Sequence, residues 1–317
     1  TSRLNISGSA SYNKTGGTRI QQGSNSSGIM GLLRAPVSFD ITNGYDDPVN
    51  EPLSYSFPDG TQRNSGGNAG GYDNPFWSVK KNHYKDNVDR LLGFVQADYD
   101  LASWLKIMGR LGVDTYSDNR NEAYSKNSRA QVAGRVNEET YLHRSINSDL
   151  ILTLNHSFGE KIQLTALLGH NYFSNNSKRI LLAGSGLNIP DFYNTSGAST
   201  ITGNHSWARR KLSAAYTDLR LSYSNFLFLN ITGRNEWSST LPKSNSSFFY
   251  PAVSLGWVFS ELFNIPPAIL SMGKARLSYA QVGNDSPIYA LNNTFSPASV
   301  SGTLTTGGGI VFPYQNQ

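Results

Sequence analysis

Residues 226–260 carry the clearest alternation of apolar and polar positions in the chain. Successive side chains of a β-strand point to opposite faces, so this segment predicts two strands, each with one apolar face and one polar face. A transmembrane β-barrel wall needs this pattern, with aromatic residues near the strand ends. The apolar positions are Leu227, Leu229, Ile231, Trp237, Val253, Leu255, Trp257 and Phe259, and the polar ones between them include Asn230, Thr232, Arg234 and Glu236.

The same alternation recurs along the chain in runs of about 11 to 14 residues, against ~5 to 6 for a typical soluble strand. Thirteen residues at ~3.3 Å each and a tilt of ~40° reach ~33 Å along the membrane normal, which crosses a bilayer. With an opening strand near Thr1, the pattern predicts about nine strands. The further runs are 91–101, 104–116, 146–157, 162–173, 212–223 and 273–283.

The segments between the predicted strands alternate in length, which is typical of outer-membrane barrels with short periplasmic turns and long extracellular loops. The short connections are 100–103, 157–160, 224–225 and the somewhat longer 261–270. The long connections are 13–87, 117–140, 174–206, 239–247 and 284 onward. We therefore predict an all-β fold, a transmembrane antiparallel barrel. Nine strands leave open edges that lipid does not tolerate, so the chain is expected to be a fragment of a larger barrel.

Composition narrows the choice of protein class. Charged residues make up only 15% of the 317 residues, Gly is frequent, and there is no Cys for disulfides or thiolate metal sites. The net charge of +5 is spread along the chain, so nucleic acid is not expected as a partner. The triplet Arg209, Arg210 and Lys211 is interpreted as a strand entrance near lipid headgroups. No signal peptide is visible ahead of the first predicted strand.

No catalytic or metal-binding motif is found. The sequence has no nucleophile elbow, zinc-protease helix or phosphate-binding loop, and its five His residues show no metal-ligand spacing. Asp46 and Asp47 could hold Ca²⁺, but a turn beside Pro48 is the better interpretation. We expect no enzyme activity and no cofactor.

Two segments resemble a known family. LNITGRNEWSSTLPKSNSSFFYPAVSLGWVFSELF followed by KARLSYAQVGND, and NVDRLLGFVQADYDLASWLKIMGRLGVDTYSDNR upstream, are similar to SusC/RagA-type TonB-dependent transporters of the outer membrane of Bacteroidota. LLRAPVSFDITNGYDDP and YDNPFW also resemble that family. The likeness covers nearly the whole chain and is most specific over residues 226–283.

The resemblance implies a 22-stranded barrel with an N-terminal plug, which imports oligosaccharides or peptides. It also implies two partners, a SusD-like surface lipoprotein that covers the outer face and the TonB complex, which acts on an N-terminal part. Residues 1–317 would all belong to one barrel domain, and the plug, the TonB-contacting segment and the closing C-terminal strands lie outside this sequence. The sequence does not distinguish a glycan cargo from a peptide cargo.

Two groups of residues are predicted to serve transport. The first group should face the lumen and contact the plug: Arg110, Arg220, Arg234, Glu236 and Arg276. The second group consists of loop aromatics that could contact cargo or the lid, or simply pack their own loop: Tyr72, Phe76, Trp77, Tyr84, Phe192, Tyr193 and Trp207.

Two other classes of protein stay open on the sequence pattern alone. One is an outer-membrane barrel without TonB, such as an autotransporter or a secretion pore. The other is a soluble carbohydrate-binding β-protein, in which the strands pack as a sandwich.

Overall fold

The computed structural model describes residues 3–66 and 71–291, together with a short strand pair at 295–297 and 314–316. Nine strands form one antiparallel sheet in which every strand pairs with its neighbours in sequence. This meander confirms the predicted all-β, nine-strand architecture and differs from a sandwich of two sheets. The strands are β1 Leu4–Arg19, β2 His83–Ala102, β3 Leu105–Tyr124, β4 Arg135–Phe158, β5 Ile162–Leu187, β6 Ala198–Tyr223, β7 Leu227–Ser238, β8 Ser247–Val258 and β9 Lys274–Ala280.

Short helices and one small strand pair complete the described elements. The helices are α1 Gly28–Arg34, α2 Pro75–Lys80 and α3 Phe259–Leu262, and 3₁₀ turns lie at Pro52–Ser54, Thr195–Gly197 and Lys243–Asn245. Strands β10 Phe295–Pro297 and β11 Tyr314–Asn316 pair only with each other. No helix among the described residues is long and apolar enough to cross a membrane.

The strand register places the predicted apolar positions on one continuous face. Leu221 pairs with Leu229, Leu229 with Leu255, and Leu255 with Leu277. The same face continues through the other strands, for example at Leu150, which is 53% exposed, and Leu168, which is 60% exposed. Leucines exposed in this number and in one band are expected where lipid, not water, is the solvent. We call this side of the sheet the outward face and the other side the inner face.

Several strands extend well beyond their predicted ends. The loops predicted at 117–140 and 174–206 are reduced to residues 125–134 and 188–197, because β3 to β6 run on for 20 to 26 residues. The predicted loop 13–87 likewise shortens to 20–82. At these outer ends polar and apolar residues occur on both faces of the sheet, as at Lys178 to Leu182 of β5, so the alternation that marks a membrane strand is lost.

The turn end of the sheet needs one correction. Phe259, predicted to continue the apolar face of the last hairpin, is the first residue of α3. Its ring makes an edge-to-face contact with Trp257 at 6.1 Å between ring centroids. The aromatic residue therefore still borders the apolar band, but from a helical turn.

Candidate functional site: a charge-paired inner face below interlocked loops

All five residues predicted to face the lumen lie on the inner face. In the register, Arg220 pairs with Asn230, Arg234 with Tyr250, and Arg276 with Gly256. Arg110 pairs with Asp149 across β3 and β4. The alternation of the strand places them there, since successive side chains point to opposite faces and each of the five lies at an inward position of its strand.

Most of these cations are neutralised by carboxylates of the wall itself. Arg110 lies 2.8 Å from Asp149, and Arg220 lies 2.8 Å from Asp218. Arg234 forms a salt bridge of 2.6 Å with Glu236, another member of the predicted group. Arg276 forms no salt bridge with a described residue and lines a hollow of about 320 Å³ together with Arg220. The face is therefore polar but close to charge balance.

Asp149 is the centre of one such network. Besides Arg110, it accepts hydrogen bonds from Asn171 at 2.7 Å and from Asn147 at 3.3 Å. Asn171 also donates to Asn147 at 2.9 Å, so the three strands β3, β4 and β5 are linked on this face. The arrangement fixes the side chains of the wall and presents amide and guanidinium groups to whatever fills the lumen. It contains no nucleophile paired with a base.

At the outer end, three loops interlock into one structure, which we call the loop cap: residues 20–82, 125–134 and 188–197. Its centre is the buried carboxylate of Asp73. Oδ1 accepts from Gln62 at 2.8 Å and from the backbone N–H of Arg129 at 2.6 Å. Oδ2 accepts from Asn82 at 3.0 Å and from Ser128 at 2.6 Å. Burial raises the pKa of the Asp73 carboxyl, although these four hydrogen bonds act to lower it.

A second junction ties the third loop to the first. Lys81 and Asp191 form a salt bridge of 2.5 Å, and the Tyr193 hydroxyl donates to the Lys81 carbonyl at 2.7 Å. Burial acts to raise the pKa of Asp191, but hydrogen bonds from Lys81 and Tyr193 outweigh it and leave the pKa lowered. Burial also raises the pKa of the Tyr193 hydroxyl. These polar contacts add to apolar packing, since Tyr193 also packs against the cluster of Ala123, Val136 and Leu187.

The predicted loop aromatics have different surroundings. Trp77 is 2% exposed and packs edge-to-face on Tyr55 at 6.3 Å, so it serves the packing of its own loop. The Arg34 guanidinium lies 4.3 Å from the ring centre of Tyr72. Phe192 remains 44% exposed on the cap. The half-buried members of the group are Tyr72, Phe76, Tyr84 and Tyr193. Tyr84 is not in a loop as predicted, because β2 begins at His83.

Trp207 is not in a loop. It lies within β6 and pairs with Lys178 on the outward face, where it is 67% exposed. The longer strands explain the difference, since the predicted loop 174–206 is mostly sheet. Contact of Trp207 with cargo or the lid remains a prediction. Its side chain points away from the lumen.

The Asp73 network could not be found from the sequence. Its partners Gln62, Asn82 and Ser128 are 9 to 55 residues away along the chain, and no spacing motif joins them. The local sequence at Asp73 indicates only the start of α2, where Asn74 caps the helix by accepting from the Phe76 N–H. The sequence pattern suggests that these three polar residues are solvated loop positions. In the structure they form the interior of the cap.

The described residues contain no group of three or more His, Asp or Glu side chains that could hold a metal ion. At the sequence-suggested calcium position, Asp47 accepts hydrogen bonds from Asn50, at 2.8 Å from its side-chain amide. This geometry is that of a local turn.

Comparison with known proteins agrees with this geometry. Residues 33–316 match the family described as TonB dependent receptor-like, beta-barrel. The chain belongs to this family of TonB-dependent outer-membrane β-barrels. No curated protein sequence matches it significantly.

Solved structures share the fold at low sequence identity. The RagAB peptide importer in its open-open state is 17% identical, with a TM-score of 0.71 over 94% of this chain and 33% of that chain. The closed-closed state is 16% identical, with a TM-score of 0.71 over 99% and 35%. A further RagAB peptide transporter structure gives 18% identity and a TM-score of 0.65 over 76% and 28%.

The chain therefore spans about a third of the length of these structures. The resemblance to SusC/RagA-type transporters is confirmed at the level of family and fold. An outer-membrane location follows from the family.

Proposed function

We propose that this chain forms part of the wall of an importer that takes up oligosaccharides or peptides across the outer membrane in a TonB-dependent manner. The observation that carries the proposal is the charge-paired inner face in a member of this family. Arg110, Arg220 and Arg234 have carboxylate partners within the wall, so a passing solute meets hydrogen-bonding groups without a strong net charge. Such a surface suits weak, repeated contacts with a hydrophilic cargo.

The same side chains are proposed to contact a plug. A plug that must leave or rearrange should be held by contacts that break at modest cost, and partly solvated ion pairs contribute only ~0–1 kcal/mol each. Arg276 has no carboxylate partner among the described residues. A carboxylate of the plug would therefore contribute most to plug binding at this position. No step of this mechanism makes or breaks a covalent bond.

A SusD-like lipoprotein is the proposed partner at the outer end. The loop cap offers it a surface held in place by the Asp73 network and by the Lys81–Asp191 pair. Phe192 is exposed on that cap and is the aromatic contact we would test first. A peptide cargo is the first to test, since the structures of similar fold are described as a peptide importer.

The test is an uptake measurement with the intact outer-membrane protein in cells. A labelled peptide mixture and a labelled oligosaccharide mixture are offered side by side, with and without a protonophore that removes the energy for TonB. Import of one mixture that stops with the protonophore supports the proposal. Uptake that continues without energy indicates a passive pore, and outward movement of protein would indicate a secretion pore.

A further inference from the structure

Four basic side chains cluster on the outward face of β4, β5 and β6: Arg144, Lys178, Arg209 and Lys211. We call them the outer basic cluster. Arg144 pairs in register with Asn176, and Asn176 pairs with Arg209. The two arginines are therefore two strands apart, or ~10 Å. All four side chains are exposed.

These cations lack the compensation that the inner face provides. None of the four forms a salt bridge with a described residue, whereas Arg90, Arg120 and Arg179 on the inner face each have a carboxylate partner. Among the described residues, Arg209 donates to the neutral amide oxygen of Asn176, at 2.7 Å.

The nearest outward-face carboxylates have other partners, and one of them, Asp89, also lines the groove described below. Asp89, two strands from Arg144, lies 3.8 Å from Lys14 and accepts a hydrogen bond from Tyr12. Glu138 accepts from the backbone N–H of Thr195 at 3.4 Å, at the loop cap. No described carboxylate forms a salt bridge with the outer basic cluster, so the four cations are open to an anion from outside the chain.

The cluster lies where the apolar band ends. On β4, the outward side chains from Leu154 to Leu150 are apolar, Ser148 and Ile146 come next, and Arg144 is the first charged one toward the loops. Ten residues separate Arg144 from Leu154, which is ~33 Å along the strand and ~25 Å along the membrane normal at a tilt of ~40°. The apolar band of such barrels is ~25 Å tall. Arg144 is thus at the level of the headgroups of the outer leaflet.

A groove of about 850 Å³ runs across the strands at this level. Its lining includes Arg144, Asn176 and Arg209 on one side and Leu142, Lys178 and Trp207 on the other. The floor includes the intervening residues, such as His143 and Ser177, as expected for a groove that opens on the outward face. The groove combines apolar walls with cations, so it suits an amphipathic ligand.

We propose that the outer basic cluster binds the phosphate group of a lipid headgroup in the outer leaflet. Guanidinium groups match phosphate oxygens in a forked geometry, and Arg144 and Arg209 can approach one phosphate from two sides. Lys178 and Lys211 add point charges around it, and Trp207 packs against the apolar part of the headgroup region. The binding requires the outer-membrane barrel but not the import activity.

The experiment uses the intact outer-membrane protein, purified in non-ionic detergent and freed of lipid. Native mass spectrometry follows its titration with diphosphoryl lipid A and with chemically dephosphorylated lipid A. We expect Arg144→Gln with Arg209→Gln to weaken binding of the phosphorylated lipid roughly 30-fold, because each basic group near a charged headgroup contributes roughly a fivefold factor. Binding of the dephosphorylated lipid should be weak for both proteins.

The matched control is Lys14→Gln, which removes an outward cation at a similar level whose partner is Asp89. It should leave lipid binding within about twofold of the wild type. The pair Arg144→Lys and Arg209→Lys keeps the charge and should retain most of the affinity, which separates a lost site from a misfolded variant.

Three results would overturn the proposal. One is equal binding of the two lipids by the wild type, and another is an equal loss in the Lys14→Gln control. The third is full competition by millimolar inorganic phosphate, since a lipid anchored also by its acyl chains and Trp207 should not be displaced by the free ion.

Discussion

The Ser128 hydroxyl donates a hydrogen bond of 2.6 Å to Oδ2 of Asp73, and this contact joins two loops through residues that are 55 positions apart in the chain. Both side chains are buried, at 0% and 1% exposure. The loop cap thus has a polar interior whose hydrogen bonds are stronger than those at a solvated surface, and more costly to leave unmade.

Replacing Asp73 by Asn should loosen the cap. The amide has the shape of the carboxylate, but one of its two ends is an NH₂ donor. That donor faces other donors, either Gln62 and the Arg129 backbone N–H on one side or Asn82 on the other. A buried donor left unpaired costs ~1–3 kcal/mol. Hydrogen exchange of peptides from residues 20–82 and 125–134 should become faster, while peptides from β7 and β8 should not change. Unchanged exchange in the loops would contradict the role given to Asp73.

Docking of the loop cap should also depend on pH through Asp73. Its pKa is raised in the docked cap, so the docked state binds the proton more tightly than the undocked state does. The tighter proton binding stabilises the docked cap. This stabilisation is complete below the ordinary aspartate pKa of about 3.9 and declines as pH rises through the raised pKa. Loop exchange, corrected for its intrinsic pH dependence, should therefore quicken over that interval.

The Asp191 carboxyl provides the contrast for this pH experiment. Its pKa is lowered, so its contribution is present above the ordinary aspartate value and is lost as pH falls through the lowered value. In Asp73→Asn the quickening with rising pH should disappear, and the acid-side loss from Asp191 should remain. A pH profile shared by the wild type and Asp73→Asn would show that another group is responsible.

The two faces of β7 should respond differently to an added charge. Ile231 lies on the outward face between Leu219 and Val253, and Thr232 follows on the inner face. Ile231→Arg should destabilise the intact barrel in a bilayer by ~2–4 kcal/mol near the midplane, whereas Thr232→Arg points to a hydrated lumen and should cost far less. Refolding equilibria in lipid vesicles measure both. Equal losses would contradict the assignment of the faces.

A methyl group at Gly169 should disturb the inner face. A Cβ there would stand 2.2 Å from the ring of its register partner Tyr216, so the ring must move away from its place near Arg234. Overpacking of this kind costs ~1–3 kcal/mol. Gly109→Ala is the matched control, because a Cβ there meets nothing within 4 Å. Thermal unfolding of the two variants should differ clearly, and similar midpoints would show that Tyr216 relaxes without cost.

The sequence pattern predicts the membrane part of the wall and fails above it. Leu229 and Arg234 are predicted to lie on opposite faces, and the register of β7 places them so. The alternation is clear there because a barrel wall has one apolar and one polar face. Higher up, Thr140 donates to Asn119 at 2.9 Å on the outward face, so polar residues occupy both sides of the sheet. There the alternation carries no signal, and paired strand is mistaken for loop.

The candidate site likewise has one part that the sequence predicts and one part that it does not. Arg110 and Arg220 are predicted from strand alternation, which is local along the chain. The Asp73 network depends on which loops meet in space, and that is decided by the pairing of β1 to β6 together. Its residues have no common spacing in the sequence and could be identified only in the folded chain.

The length of β5 determines which residues are most accessible at the cell surface. Its 26 residues span ~66 Å along the membrane normal at ~40° tilt, and the apolar band takes up only ~25 Å of that. Asn176 of β5 pairs with Arg144 at the headgroup level, so the 11 residues from there to Leu187 raise the wall ~28 Å above that level, with the interlocked loops at the outer end. Antibodies and bacteriophages would meet those loops first, so sequence changes that evade them are expected at exposed positions such as Phe192 and Ile189, and not at Asp73 beneath them.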